Sequence, residues 1–502
     1  MELLDHLALG FSVAVTFQNV IYCLFGVLLG TLIGVLPGIG PLPTIAMLLP
    51  ITYSLPPVAA LIMLAGIYYG AQYGGSTTAI LVNLPGESSS VVTCIDGYQM
   101  ARRGKAGKAL SIVAIGSFIG GTVATLMIAG FAPPLAALAL KFGPAEYFSL
   151  MVLGLIAAVV LASGSIVKAI GMILAGILLG MVGTDVNSGL MRFTFNIPEL
   201  ADGVSFVVIA MGLFAFAEII INLEHAGNRE IFTDRVSGLL IKWREFTQAL
   251  PAILRGTALG SILGILPGGG ATLSAFAAYT VEKKIARDAS QFGKGDIRGV
   301  AAPESANNSG AQAAFIPLLT LGIPSNALMA LMVGAMTIHN IQPGPQVMSS
   351  NPDLFWGLIA SMWIGNLMLV ILNLPMIGIW VKLLKVPYRL LYPAILVFCC
   401  IGVYSVNNNI FDVLTTVVFG LLGWIFVKLE CEPAPLLLGF VLGPMMEENV
   451  RRALLLSRGD PMTFVTRPIS ATLLVLAVIL LVLVAMPMVR SKRTEAFVEQ
   501  PA

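Results

Sequence analysis

The sequence predicts an all-α polytopic membrane protein built from two inverted-topology repeats, each with a re-entrant hairpin and an interrupted helix. Three observations predict it. The 502 residues are 57% hydrophobic and only 11% charged, against roughly 25% charged in soluble domains, and the mean hydropathy is +0.91. Apolar stretches near the ~20 residues that a spanning helix needs recur along almost the whole length, without the period-two alternation of a β-barrel. Second, Gly34-Val35-Leu36-Pro37-Gly38-Ile39-Gly40 returns as Gly264-Ile265-Leu266-Pro267-Gly268-Gly269-Gly270, the prolines 230 residues apart (267 − 37). Glycines four apart precede both copies, Gly26, Gly30 and Gly34 matching Gly256, Gly260 and Gly264. Third, the loops flanking the two copies have opposite charge character.

The loop charges set the order of elements. Residues 1–15 carry Glu2 and Asp5 but no Lys or Arg, so the basic start of a cleavable signal peptide is lacking. The first repeat is expected over 1–245, with a hairpin at 17–53, a broken helix at 58–90 and plain spans within 109–223. Arg102, Arg103, Lys105 and Lys108 place the loop after the broken helix in the cytoplasm. Four plain spans, near 109–131, 147–163, 167–182 and 204–223, return the chain to the basic stretch Arg229 to Arg244. The second repeat is expected over 246–502, with a hairpin at 246–281, a broken helix at 300–338 and plain spans within 354–489. Basic residues lie on both sides of 246–281 and on neither side of 17–53. Both therefore read as hairpins, entered from opposite faces. Basic residues at 451–467 and again at 490–493 conflict over the last span; repeat symmetry places the C-terminus outside.

A Pro-Gly-x-Gly break removes a backbone donor and opens unusual φ/ψ space. At membrane depth such backbone is tolerated only in a protein interior or along a cavity, and paired breaks in two halves point to a transporter's binding site. The candidate substrate and ion ligands are thus Pro37, Gly38 and Gly40 at one tip and Pro267, Gly268 and Gly270 at the other. The polar runs Gln72, Ser76, Thr77, Thr78, Asn83 and Asn307, Asn308, Ser309, Gln312 lie in apolar surroundings, and both segments read as interrupted there. The echo of Asn83-Leu84-Pro85-Gly86 in Gly322-Ile323-Pro324-Ser325 adds Ser325 and Asn326. Simple interhelical hydrogen bonding, worth about 0.6 kcal/mol each, is the competing reading of these side chains. Glu87 and Glu304 flank the breaks and are either functional acids or interfacial ones.

With no Lys or Arg in these cores, helix dipoles would hold a carboxylate substrate, and a coupling cation, Na+ or H+, would help neutralise it. No phosphate-binding loop and no His-Glu-x-x-His occurs. The three histidines are isolated, and the five cysteines, without ligand spacing, read as buried apolar groups. Neither an enzyme, a cofactor, a metal site nor a nucleic-acid partner is expected. A secondary active transporter is the leading reading. A passive anion channel with re-entrant selectivity loops is the alternative.

The two Leu-Pro-Gly-x-Gly blocks, Tyr69-Gly70-Ala71-Gln72-Tyr73-Gly74-Gly75-Ser76-Thr77-Thr78, Ala302-Pro303-Glu304-Ser305-Ala306-Asn307-Asn308 and the stretch Gly439 to Asp460 resemble the large membrane subunit of the tripartite tricarboxylate transporters. The resemblance spans nearly the full chain. It implies a multi-pass permease of the bacterial inner (cytoplasmic) membrane that works with a small transmembrane subunit and a periplasmic solute-binding protein. It also implies cation-driven import of carboxylates across the lipid bilayer, and it leaves room for a homo-oligomer of the complex. By analogy with elevator-type carriers, the hairpins and interrupted helices would move against a scaffold of plain spans.

Overall fold

The structure is a computed structural model that describes residues 2–36, 40–161, 165–185, 187–224, 238–266, 270–383 and 388–485. Pro37, Gly38, Pro267 and Gly268, expected from the sequence at the two hairpin tips, lie outside the described residues. The fold is helical, and the strands among the described residues are the two-residue pair Gly183–Thr184 and Met191–Arg192. Among the described residues four helices are long and apolar enough to cross a membrane: Phe17–Val35, Ala106–Ala139, Pro352–Asn373 and Ile410–Lys428.

Each hairpin is a pair of helices. Phe17–Val35 is followed by Pro41–Thr52, and Trp243–Leu263 by Gly270–Ile285. The glycines four apart explain how the first arm of each meets the helix behind it. A Cβ on Gly26, Gly30 or Gly34 would lie 2.3, 2.4 or 2.4 Å from the carbonyl oxygens of Met63, Ile67 and Ala71 in helix Pro57–Val82. A Cβ on Gly256, Gly260 or Gly264 would lie 2.3, 2.2 or 2.4 Å from those of Ala302, Ala306 and Gly310 in helix Ile297–Ala313. Only a hydrogen fits at these six positions, so the backbones approach as closely as membrane helices can.

This packing also fixes the register between the halves. Ala71 corresponds to Gly310, an offset of 239 (310 − 71), whereas the Gly-Ala-Gln match of 70–72 with 310–312 is an offset of 240. One residue is about 100° around a helix, so side chains paired by the sequence match face different neighbours.

The polar runs do not interrupt their helices, contrary to the sequence reading. Pro57–Val82 is one continuous helix of 26 residues. Its glycines serve contact: a Cβ on Gly70 or Gly74 would meet the Val27 or Thr31 carbonyl oxygen at 2.8 or 2.3 Å. Ile297–Ala313 likewise runs through Asn307 to Gln312, with Pro303 in its interior. The breaks come later and match each other. Asn83 ends one helix at φ 54° and Gly322 ends Phe315–Leu321 at φ 74°, both left-handed. Four residues on, Glu87 (φ −154°) and Asn326 (φ −155°) start the next helical segments as extended N-caps. Glu87 accepts from Ser89 N–H and Asn326 from Met329 N–H.

Around this centre stand Ala106–Ala139, Pro144–Leu161, Ile166–Gly180, a helix over 206–224 with a π turn at Met211–Phe216, Pro352–Asn373, Tyr388–Asn407, Ile410–Lys428 and Pro468–Ala485. Glu2–Ala14 packs on Pro352–Asn373 with His6 stacked on Trp356 at 4.9 Å. Pro433–Leu456, before the last apolar segment, is a 24-residue helix locked against Ile166–Gly180 through Gly176 and Gly439.

Candidate functional site

Between the hairpins lies a cavity of about 580 Å³. Both halves build it. Its wall takes in the start of each returning hairpin arm (Gly40 to Pro43 and Gly270 to Thr272), both breaks (Pro85 to Ser88 and Asn326 to Leu328), Gln72 and Tyr68. Leu213 and Phe214, in the π turn, close an apolar side. Ser88 and Thr272, one from each half, lie with their hydroxyl oxygens 3.1 Å apart.

Four α-helices begin at this wall, Pro41–Thr52, Gly270–Ile285, Ala327–Ile338 and Pro433–Leu456, and the first-turn N–H groups of a helix have no partner within it. Gly40 (φ 66°) and Gly270 (φ 46°) adopt the left-handed conformation as the chain turns into the returning arms. Pro41 and Pro43 remove two donors from the first arm. The Gly270 and Ala327 helix starts therefore supply more of the positive dipole end, equivalent to roughly half a charge each. Among the described residues no Lys, Arg or His lines the cavity, and the acids that do are Glu87 and Glu218.

Behind the wall the polar side chains form one buried network. Glu87 accepts from Ser89 Oγ and from Asn307 Nδ2 at 3.3 Å, and Ser89 Oγ also reaches Asn307 Oδ1 at 2.8 Å. Turning the Gln72 amide nitrogen toward Glu87 lets it donate to both carboxylate oxygens, at 2.6 and 3.0 Å, the orientation that satisfies both groups. Deeper still, Glu304 accepts from Ser76 Oγ at 2.6 Å and from Thr93 Oγ1. Among the described residues neither acid has an ion pair. Acids farther out do: Glu282 with Arg255, Glu245 with Lys108 and Asp185 with Arg451. In the last case hydrogen bonds from the Asn187 N–H and Ser188, with Arg451 beside them, hold the Asp185 carboxyl down at about 2.

Of the expected site residues, Gly40, Gln72, Gly270 and Asn326 reach the cavity wall. Ser76 and Asn307 stand one layer behind it. Thr78, Ser309 and Ser325 bond to backbone carbonyls, of Gly34, Ala306 and Ala314. Asn308 and Gln312 face helix Ala106–Ala139 instead, where they meet Ser117 and Thr125. Thr77 is buried and Asn83 is exposed, both away from the wall. Ser89, Thr93 and Thr272 were not singled out; the serines after Pro-Gly-Glu were the one signal that marked a helix start there.

A model of the tripartite tricarboxylate transporter TctA family matches residues 20–438. The chain belongs to that family. It is accordingly a membrane protein and a component of a tricarboxylate transporter, and the tripartite name implies partner subunits. Similar proteins include an uncharacterized 52.8 kDa protein in the TAR-I ttuC' 3' region of Agrobacterium vitis, 59% identical over 500 residues and covering 100% of both chains. Another, an uncharacterized protein in the TAR-II ttuC' 3' region of the same organism, is 60% identical over 240 residues, 48% of this chain and 99% of the relative. No solved structure matches the chain.

Proposed function

We propose that this TctA-family chain is the permease subunit of a secondary active transporter of the bacterial inner membrane. It imports tricarboxylates or related carboxylates, coupled to Na+ or H+, and takes them from a periplasmic binding protein with the help of a small membrane subunit. One observation carries the reading: the start of each returning arm and both helix breaks converge on one cavity that holds helix N-termini for an anion and an acid without a cation. The helix starts and the Ser88 and Thr272 hydroxyls bind the substrate's carboxylates. Glu87, Gln72 and Asn307 hold the coupling cation, which offsets the charge that Glu87 and the substrate bring together. The two halves act as inverted repeats, and the hairpins with the helices behind them move as one elevator-like body against the outer spans. The 239-residue register and the matched breaks support this equivalence.

The test is uptake of labelled citrate, chosen as a tricarboxylate probe, and of a panel of other carboxylates into proteoliposomes carrying the complex and its binding protein. A Na+ or pH gradient should drive accumulation of at least one carboxylate above its external concentration. Equilibration alone, whatever the gradient, would show a passive anion channel.

A further inference from the structure

We propose that Glu304 is a proton-binding site of the transport cycle, reached from the cavity through Glu87 and switched by the Ser76 hydroxyl. Its place in a cycle rests on the transporter reading; proton binding by Glu304 does not.

Glu304 is fully buried in the middle of helix Ile297–Ala313. An ionised carboxylate there needs a cation or a full set of donors. Its side-chain donors are all neutral, the Ser76 and Thr93 hydroxyls and the Asn307 amide. The titratable groups that face it from neighbouring elements, Tyr73, Glu87 and Cys94, bring no positive charge. Among the described residues no Lys or Arg faces it: Arg255 pairs with Glu282, Lys108 with Glu245 and Arg298 with Asp296, while Arg244, Lys283 and Lys284 stand in the end turns of their helices.

Ser76 makes both protonation states acceptable. Its single hydroxyl proton has two acceptors within reach, Glu304 Oε2 at 2.6 Å and the Gln72 carbonyl oxygen at 2.9 Å. When Glu304 is ionised, Ser76 donates to it. When Glu304 is protonated, its O–H donates to Ser76 Oγ, and Ser76 turns its own proton to the Gln72 carbonyl. Thr93 donates to the other oxygen throughout, and no heavy atom need move.

Asp96, another buried acid, shows the contrast. It accepts from the N–H groups of Gly293, Gly295 and Asp296 at 3.0, 2.7 and 2.9 Å and from the Tyr279 hydroxyl at 3.0 Å. Those three donors are fixed backbone N–H groups that cannot turn away, whereas the Ser76 hydroxyl beside Glu304 can.

The way in is short. Glu87 lines the cavity, and Asn307 bonds to both acids. A proton from water in the cavity passes to the Glu87 carboxylate and on to Glu304, converting COO⁻ to COOH, and leaves by the reverse steps. Each loading offsets one negative charge of a bound carboxylate.

The test is infrared spectroscopy of the full chain, purified with its partner subunits in lipid nanodiscs, with the proton as the only probe. Wild type should show a protonated-carboxyl C=O stretch that titrates with pH and shifts in deuterium oxide. The band should vanish in Glu304→Gln and remain in Glu87→Gln. If Glu304→Gln does not fold, Glu304→Asp serves in its place and should displace the band in frequency. A band that survives Glu304→Gln, or is left in place by Glu304→Asp, overturns the proposal. So does the lack of any protonated carboxyl down to the pH of unfolding. A titrating Glu304 band without gradient-driven uptake would keep the proton site and remove the transporter reading.

Discussion

The two helix breaks share a geometry and differ in charge. After Asn83 the chain runs through Pro85 and Gly86 to Glu87; after Gly322 it runs through Pro324 and Ser325 to Asn326. Both end a helix in the left-handed conformation, and both resume with an N-cap whose φ agrees within a degree or so. One cap is an acid and the other an amide. Backbone equivalence with unequal charge suits the proposed site for two unlike ligands, in which the acid would hold a cation and the amide beside a helix start an anion.

The first way to break the comparison is to remove the close approach that both halves use. Gly30→Val and Gly260→Val each drive a side chain into a backbone carbonyl and should each cost about 3 kcal/mol. Thermal unfolding in detergent should show similar losses for both. A tolerated change in one half would mean that the two ladders are not equivalent.

The hairpins themselves are unequal. The arms Phe17–Val35 and Pro41–Thr52 contain no charged residue, whereas Arg255 and Glu282 staple the second hairpin through two hydrogen bonds, at 2.5 and 3.0 Å. Arg255→Ala strands a buried carboxylate and should cost about 2 kcal/mol, less than a fully buried pair because Arg255 is half exposed. Restoration of stability in Arg255→Ala/Glu282→Gln would assign the loss to the stranded charge. A neutral single variant would show that the staple does not distinguish the hairpins.

Asn326→Asp makes the second break resemble the first. The cap to Met329 survives, but a third acid joins Glu87 and Glu218 at the cavity. Substrate affinity should fall at least tenfold, about 1.4 kcal/mol, while folding is kept. Unchanged affinity in uptake assays would place the carboxylate away from Asn326.

The smallest effects concern the returning arms. At Gly40 an added Cβ meets nothing closer than 3.9 Å, so Gly40→Ala should cost about 1 kcal/mol from its positive φ alone. At Gly270 the Cβ also lies 3.2 Å from Asn326 Nδ2. Gly270→Ala should therefore disturb uptake more than Gly40→Ala at similar stability. Equal uptake would remove Asn326 from the second arm's site.

Much of this was legible in the sequence because Pro and Gly act through the backbone. The tips, the glycines four apart and the Pro85 and Pro324 breaks announce themselves by what they forbid. The equivalence of Glu87 and Asn326 lies one residue beyond the echo of Asn83 to Gly86 in Gly322 to Ser325, an offset of 239 (322 − 83) that an acid and an amide do not themselves signal and that the Gly-Ala-Gln match misses by one residue. That match pairs Gln72, which faces the cavity, with Gln312, which faces Thr125. Reading the polar runs as interruptions failed for a related reason. Gly70 and Gly74 lie against backbone that demands glycine within an intact helix. Ser89 and Thr93 gain meaning only when the chain folds back, across more than 200 residues, to Asn307 and Glu304.

The division of roles between the breaks is tested most directly by Glu87→Gln in proteoliposomes carrying the whole complex. Under an imposed Na+ or pH gradient, wild type should concentrate labelled citrate or another transported carboxylate above the external level. The Glu87→Gln protein should only equilibrate it. Undiminished accumulation by Glu87→Gln would contradict the account, because the coupling cation would then be held somewhere other than the first break.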